Sequence, residues 1–193
     1  MNPRWSALAA VLIGTGIGLL PFAYKAHSST EYRNFRVVQP GRLYRSGQMT
    51  PRAFTRVVRE HSIRTVISLR DTKDGSGIHE DQAEIDYCTA NGLGFYRIPF
   101  AGWTRVNGVA PGDKNITEFL RILDDPATKY PVLVHCFAGI HRTGAHVAVY
   151  RMEYQGWTSG EASEEMRSMG TPRTKFDNDL LDYLETYKLQ RRP

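Results

Sequence analysis

Cysteine is scarce in this chain of 193 residues, which has two, Cys88 and Cys136. Two thiols so far apart in sequence build no disulfide framework. Neither has a second cysteine or a spaced pair of histidines beside it, so no metal site is expected. Internal repeats and low-complexity tracts are missing too, which excludes a solenoid. No basic stripe interleaved with aromatics and no recognition-helix pattern occurs, so nucleic acid is not expected as a partner.

Charge is lacking from Trp5 to Ala23, "WSALAAVLIGTGIGLLPFA". As a helix this stretch would reach roughly 28 Å, against a hydrocarbon core of roughly 30 Å. Residues 1–23 therefore read as an N-terminal membrane anchor or signal segment. A single-pass transmembrane helix is the expectation. The alternative is a secretory signal with "AHS" at 26–28 as its cleavage site, leaving a secreted or periplasmic protein. Gly14 and Gly18 have the spacing of a helix-pairing motif, but glycine is too common in membrane helices for this to specify one.

The whole chain is 41% hydrophobic and 23% charged, a composition that fits one globular domain. Residues 24–34 are polar and read as a juxtamembrane linker, with the domain at 35–193. The net charge is +5, and residues 31–70 hold nine arginines against two glutamates. That bias suits either an anionic partner or a solvated arginine-rich surface.

Periodicity divides the domain into alternating elements. "VVQPGRLYRSGQMT" reads as a strand pair around Pro40-Gly41, and Thr50-Pro51 as the cap and first residue of a helix. "TVISLR" is a short buried strand. "HEDQAEIDYCTANG" is a helix ending at Asn91-Gly92, with Cys88 as a buried apolar filler, and "GFYRIPF" is the next strand. "NITEFLRILDD" carries a helical apolar stripe, "YPVLVH" is a central strand, and a helix runs from Thr143 to Tyr154. Helices near 159–168 and 176–189 finish the chain. The expected fold is α/β, with a central, mostly parallel sheet flanked by helices.

Cys136 falls just beyond the "VLVH" strand and just before a helix, where open α/β sheets place their ligands. Gly139 lets the intervening loop turn its amide hydrogens inward, forming a cradle for an anion. The helix dipole and those N–H groups favour a thiolate, while Arg142 offers a planar fork matched to two phosphate oxygens. Thr143 is placed to donate to the thiolate, and His135 to order the loop from behind. A cysteine and an arginine six apart are weak evidence alone. The strand, the histidine, the glycine, Thr143-Gly144 and the helix together point to phosphate binding.

"HCFAGIHRTG" resembles the active-site loop of the cysteine-based protein tyrosine and dual-specificity phosphatases, particularly the atypical plant, fungal and bacterial branch. "GRLYRSGQ" and "TVISLR" extend the likeness over most of 35–190. The resemblance implies a phosphotyrosine phosphatase-like fold and a cofactor-free phosphoric monoester hydrolase. In it Cys136 attacks phosphorus to form a phosphocysteine, and Arg142 clamps the phosphoryl oxygens. Phe137, Ala138, Gly139, Ile140, His141 and Arg142 would surround the substrate, with His141 at the rim. It further implies a general acid, with Asp113 in "APGDKN" as the candidate, against a rival reading of Asp113 as a helix cap. Asp71 and Asp74 are the runners-up.

A loop that is mostly apolar and free of lysine favours a phosphotyrosine protein as substrate, with dual specificity as an extension. The alternatives are an inositol phosphate or phosphoinositide phosphatase, or a catalytically silent phosphate-binding protein.

Overall fold

The computed structural model describes residues 31–71, 77–170 and 175–190. Five strands form one sheet: β1 (Arg36–Gln39), β2 (Leu43–Ser46), β3 (Thr65–Ser68), β4 (Gly94–Arg97) and β5 (Val132–His135). Their order is β1-β2-β5-β3-β4. β1 runs antiparallel to β2, and every other pairing is parallel, so the sheet is mostly parallel as expected.

The helices are α1 (Pro51–Glu60), α2 (Gln82–Ala90), α3 (Asp113–Asp124), α4 (His141–Gln155), α5 (Ser159–Ser168) and α6 (Lys175–Glu185). Strand side chains alternate between faces. Tyr44, Val66 and Leu133 meet Phe54, Val57 and Cys88 of α1 and α2 on one face. Leu43, Ile67, Val132 and Val134 meet α3 to α6 on the other. β2, β3 and β5 are buried throughout, which is why "VLVH" and "TVIS" are continuous apolar runs rather than alternating ones.

Local signals account for the element ends. Thr50 Oγ1 accepts from the Ala53 amide with Pro51 opening α1, and Gly156 at φ 70° closes α4. Two boundaries differ from the sequence reading. α4 begins at His141 rather than Thr143, so Arg142 sits in the first helical turn. Residues 31–34, assigned above to a linker, pack on the domain: Tyr32 and Phe35 lie against the α1 core, and Thr50 N donates to Glu31 O. Among the described residues no helix is long and apolar enough to cross a membrane. The candidate anchor at 5–23 lies outside the described residues.

Candidate active site

Parallel pairing of β5 between β2 and β3 brings three chain segments to one edge of the sheet. Ser46 and Ser68 both stand opposite His135. The residues that follow, Gly47, Leu69 and Cys136, therefore leave the sheet side by side. Leu69 N donates to His135 O at 2.8 Å, and Gln48 N donates to Phe137 O at 2.8 Å.

Cys136 is 4% exposed, and Gly139 N donates to its Sγ at 3.2 Å. Gly139 has φ 73°, and a Cβ there would stand 2.4 Å from Gly47 N and 2.6 Å from the Ser46 carbonyl carbon. Only glycine fits on both grounds. The loop's carbonyls are pulled outward and away from the sulfur. Arg45, 3% exposed, donates to Gly139 O at 2.7 Å, Asn34 Nδ2 to Ala138 O at 2.9 Å, and Arg33 to Phe137 O at 3.4 Å. With those carbonyls held by Arg45, Asn34 and Arg33, the Gly139 amide faces the sulfur. Burial lowers the Arg45 guanidinium to about 10, with Glu165 and Cys136 opposing that shift.

A pocket of about 240 Å³ opens above the sulfur, lined by Phe100, Cys136, Phe137, Ala138, His141 and Arg142. Arg142 is fixed by donation to Leu69 O at 3.0 Å, by the Phe100 ring 4.7 Å away, and by Asp71, whose Oδ1 lies 3.6 Å from Nη1. Phe137 stands 56% exposed at the rim, with Arg33 4.4 Å and Arg70 5.1 Å from its ring centre. Ile140 caps α4 and is not among the lining residues. Thr143, expected at the sulfur, instead points its hydroxyl to Ser46 O at 3.5 Å.

Asp113 lies outside the lining of the Cys136 pocket. It is the first residue of α3, one position after the Gly112 cap, and so lies in the first turn rather than at the cap. It lines a different pocket, with Arg105, Tyr183 and Tyr187, where burial and the Asp113 charge push the Tyr183 hydroxyl up. Spacing identified the helix end but not the direction of the side chain. Asp71, on the loop beyond β3, is the carboxylate beside Arg142. Asp74 lies outside the described residues.

Behind the loop lies a buried ionic cluster. Glu84, 3% exposed, accepts from Gln48 Nε2 at 2.6 Å and stands 2.9 Å from His135 Nε2. Asp81 accepts from Ser68 at 2.6 Å and pairs with Arg97 at 2.6 Å. Burial raises the Asp81 carboxyl, and the hydrogen bonds from Arg97 and Ser68 outweigh it, leaving it below the usual range. The ligand atoms of Asp81, Glu84 and His135 lie within 4.8 Å of one another, a spacing that suits a metal ion. Both Asp81 oxygens and Glu84 Oε1 accept hydrogen bonds from protein groups, while Glu84 Oε2 meets His135 Nε2 by ionic proximity alone.

The sequence reading missed Asn34, Arg45, Gln48 and Glu84. "GRLYRSGQ" holds Arg45 and Gln48 and was the available signal, whereas nothing local marks Glu84.

A thiol under an inward-facing amide, at a helix start, beside a fixed guanidinium suits a tetrahedral oxyanion and defines a thiol-centred anion site on an α/β sheet. Residues 31–192 match the family model described as the tyrosine phosphatase family. The chain belongs to that family.

Its relatives include the inositol diphosphatase DSP3 of Arabidopsis thaliana, 29% identical over 156 residues, 81% of this chain and 70% of that protein. The dual specificity protein phosphatase TpbA of Pseudomonas aeruginosa is 41% identical over 58 residues. That match spans 30% of this chain and 27% of TpbA. The crystal structure of TpbA matches with a TM-score of 0.59 at 25% identity, covering 80% of this chain and 85% of that one. The core catalytic domain of the PP-IP phosphatase SIW14 from S. cerevisiae shares the fold, with a TM-score of 0.62 at 24% identity. It covers 81% of this chain and 87% of that chain.

Proposed function

We propose that this chain is a cysteine-dependent phosphatase that hydrolyses phosphate monoesters, with protein phosphotyrosine as its main substrate and other phosphorylated side chains as an extension. The observation that carries this reading is the Cys136 sulfur at the base of the pocket, with the Gly139 amide on it and Arg142 in its wall. In the first step Cys136 Sγ attacks phosphorus, the P–O ester bond breaks, and the leaving oxygen takes a proton. In the second step water attacks the phosphocysteine, releasing phosphate and restoring the thiolate. Arg142 and the loop amides hold the phosphoryl oxygens in both steps.

Asp71 is the proton donor in this reading, because it stands beside Arg142 while Asp113 faces Tyr183. Phe100 and Phe137 flank the pocket and suit an aryl ring on the leaving group. A second reading, inositol phosphates or phosphoinositides, is favoured by Arg33 and Arg70 at the Phe137 rim and by the name that DSP3 carries.

The test is hydrolysis by the purified full chain of a phosphotyrosine peptide, a phosphothreonine peptide and inositol phosphates, with Cys136→Ser as control. Preference for phosphotyrosine supports the first reading and preference for inositol phosphates the second. Equal rates for wild type and Cys136→Ser on every substrate would remove both.

For its location we propose that residues 5–23 anchor the domain in a membrane as a single pass. The uncharged run of 19 residues supports this. Release of the full chain from membranes by alkaline carbonate would contradict it.

A further inference from the structure

Arg33, Arg45 and Arg70 work at the Cys136 pocket, but three other arginines of the same basic stretch share one face of α1. Arg52, Arg56 and Arg59 stand at i, i+4 and i+7, all exposed, on the side away from the buried Ala53, Phe54, Val57 and Val58. We propose that this face of α1 is a docking surface for an anionic membrane surface, against which the N-terminal segment holds the domain. The inference rests on the reading of residues 5–23 as a membrane anchor and is independent of the chemistry at Cys136.

Helix stability does not account for the stripe. Arg52 lies in the first turn, where the positive end of the helix dipole repels it, and α1 has no acidic residue in that turn. Arg52 with Arg56 and Arg56 with Arg59 are like charges at helical spacing, which weakens a helix. Glu60 and Glu31 are the acids that act on Arg56, so cations outnumber anions on this face. A solvated helix gains nothing from that arrangement, whereas an anionic surface laid along it satisfies all three guanidinium groups together.

What covers the face follows from where the chain enters it. Residues 31–35 run along α1 from its start to its end. Thr50 N donates to Glu31 O at 3.3 Å, Arg56 donates to the Tyr32 hydroxyl with its guanidinium 5.9 Å from the ring centre, and the Phe35 and His61 rings lie 5.0 Å apart. The uncharged run ends at Ala23, and residues 24–30 can reach at most about 25 Å. The anchor thus keeps α1 within one short linker of the bilayer. Arginines held so close to an anionic leaflet gain attraction residue by residue, over a range of about 10 Å in salt. Arg33 and Asn34, in the same entering segment, hold the carbonyls of the Cys136 loop, so docking also places the pocket rim beside the bilayer.

The test uses the full chain reconstituted in nanodiscs of phosphatidylcholine alone or with about 30% phosphatidylglycerol. Arginines are modified with phenylglyoxal and located by peptide mapping, with the exposed Arg167 of α5 as the control. Modification of Arg52, Arg56 and Arg59 is expected to be about ten-fold slower in the anionic discs at low salt, and equal in both at about 0.5 M salt. Arg167 should react alike throughout. The double variant Arg52→Gln, Arg59→Gln should abolish the slowing at Arg56 and keep the wild-type rate on a small aryl phosphate.

Equal rates in the two discs at low salt overturn the proposal, as does slowing that salt does not reverse. Polyglutamate added to neutral discs is the rival occupant, and slowing by it with none by anionic lipid would give the face to an acidic protein and remove the membrane. Unprotected arginines in a chain that alkaline carbonate does not release would remove the docking and leave the anchor. Protection in a chain that carbonate does release would support the docking and remove the anchor, so the two fail separately.

Discussion

Asp71 and Asp113 are each one residue type in one local pattern, and their surroundings give them different work. Asp71 stands at the pocket edge against Arg142, while Asp113 lies beside Tyr183 in another pocket. A general acid matters most when the leaving group is poor. Asp71→Asn is therefore expected to slow hydrolysis of a phosphotyrosine peptide about a hundred-fold and of an activated aryl phosphate far less. Asp113→Asn should leave that ratio near the wild-type value. Steady-state rates on both substrates decide, and the reverse pattern would restore Asp113 to the role its sequence position suggested.

His146 is a second residue defined by burial. Its Nδ1 lies 2.7 Å from Arg142 O, the Phe119 ring is 5.1 Å away, and burial lowers it to about 4. The folded state thus resists protonation that the unfolded chain accepts near 6.5. Stability from this site is present above pH 6.5 and is lost as pH falls toward 4, amounting to about 2 kcal/mol between pH 7.5 and 5. His135 has the opposite sign. Its raised value contributes stability that is full below 6.5 and fades as pH rises through the folded value. Urea unfolding at pH 7.5 and 5 should show His146→Gln losing less stability on acidification than the wild type. An equal loss in both would contradict the burial argument.

Among the elements, the Cys136 loop is shaped as much by β2 and by residues 31–34 as by its own sequence. Nothing larger than Gly139 fits, because Ser46 and Gly47 pass directly against it. Gly139→Ala is expected to lose most activity and to lower stability by a few kcal/mol, as judged by hydrolysis rate and by the urea midpoint. Unchanged stability would mean that the loop is not pressed against β2.

The same arrangement explains what the sequence made legible. Cys136, Gly139 and Arg142 are close along the chain, so strand, loop and helix start could be read as one unit. The alternation of strands and helices gave the fold class, and the Thr50-Pro51 and Gly156 signals gave helix ends. Asn34, Arg45 and Glu84 reach the site from far along the chain, through a strand order, β1-β2-β5-β3-β4, that no local pattern encodes. Residues 31–34 looked like linker because they are polar. Two of them, Arg33 and Asn34, spend that polarity on loop carbonyls.

At the scale of the whole molecule, one sheet separates two cores and offers a single edge where β2, β3 and β5 all end. The α1 and α2 side supplies Glu84 and the buried ions. The α3 to α6 side supplies the helix that begins with His141 and Arg142. The chemistry lies where these halves meet, and it depends on one atom, Cys136 Sγ. The most direct measurement is rapid-quench trapping with a phosphate-labelled phosphotyrosine peptide, followed by peptide mapping of the full chain. The account predicts label on the peptide carrying Cys136, on its sulfur, and none in Cys136→Ser. Label on a histidine or carboxylate instead, or wild-type turnover by Cys136→Ser, would contradict it.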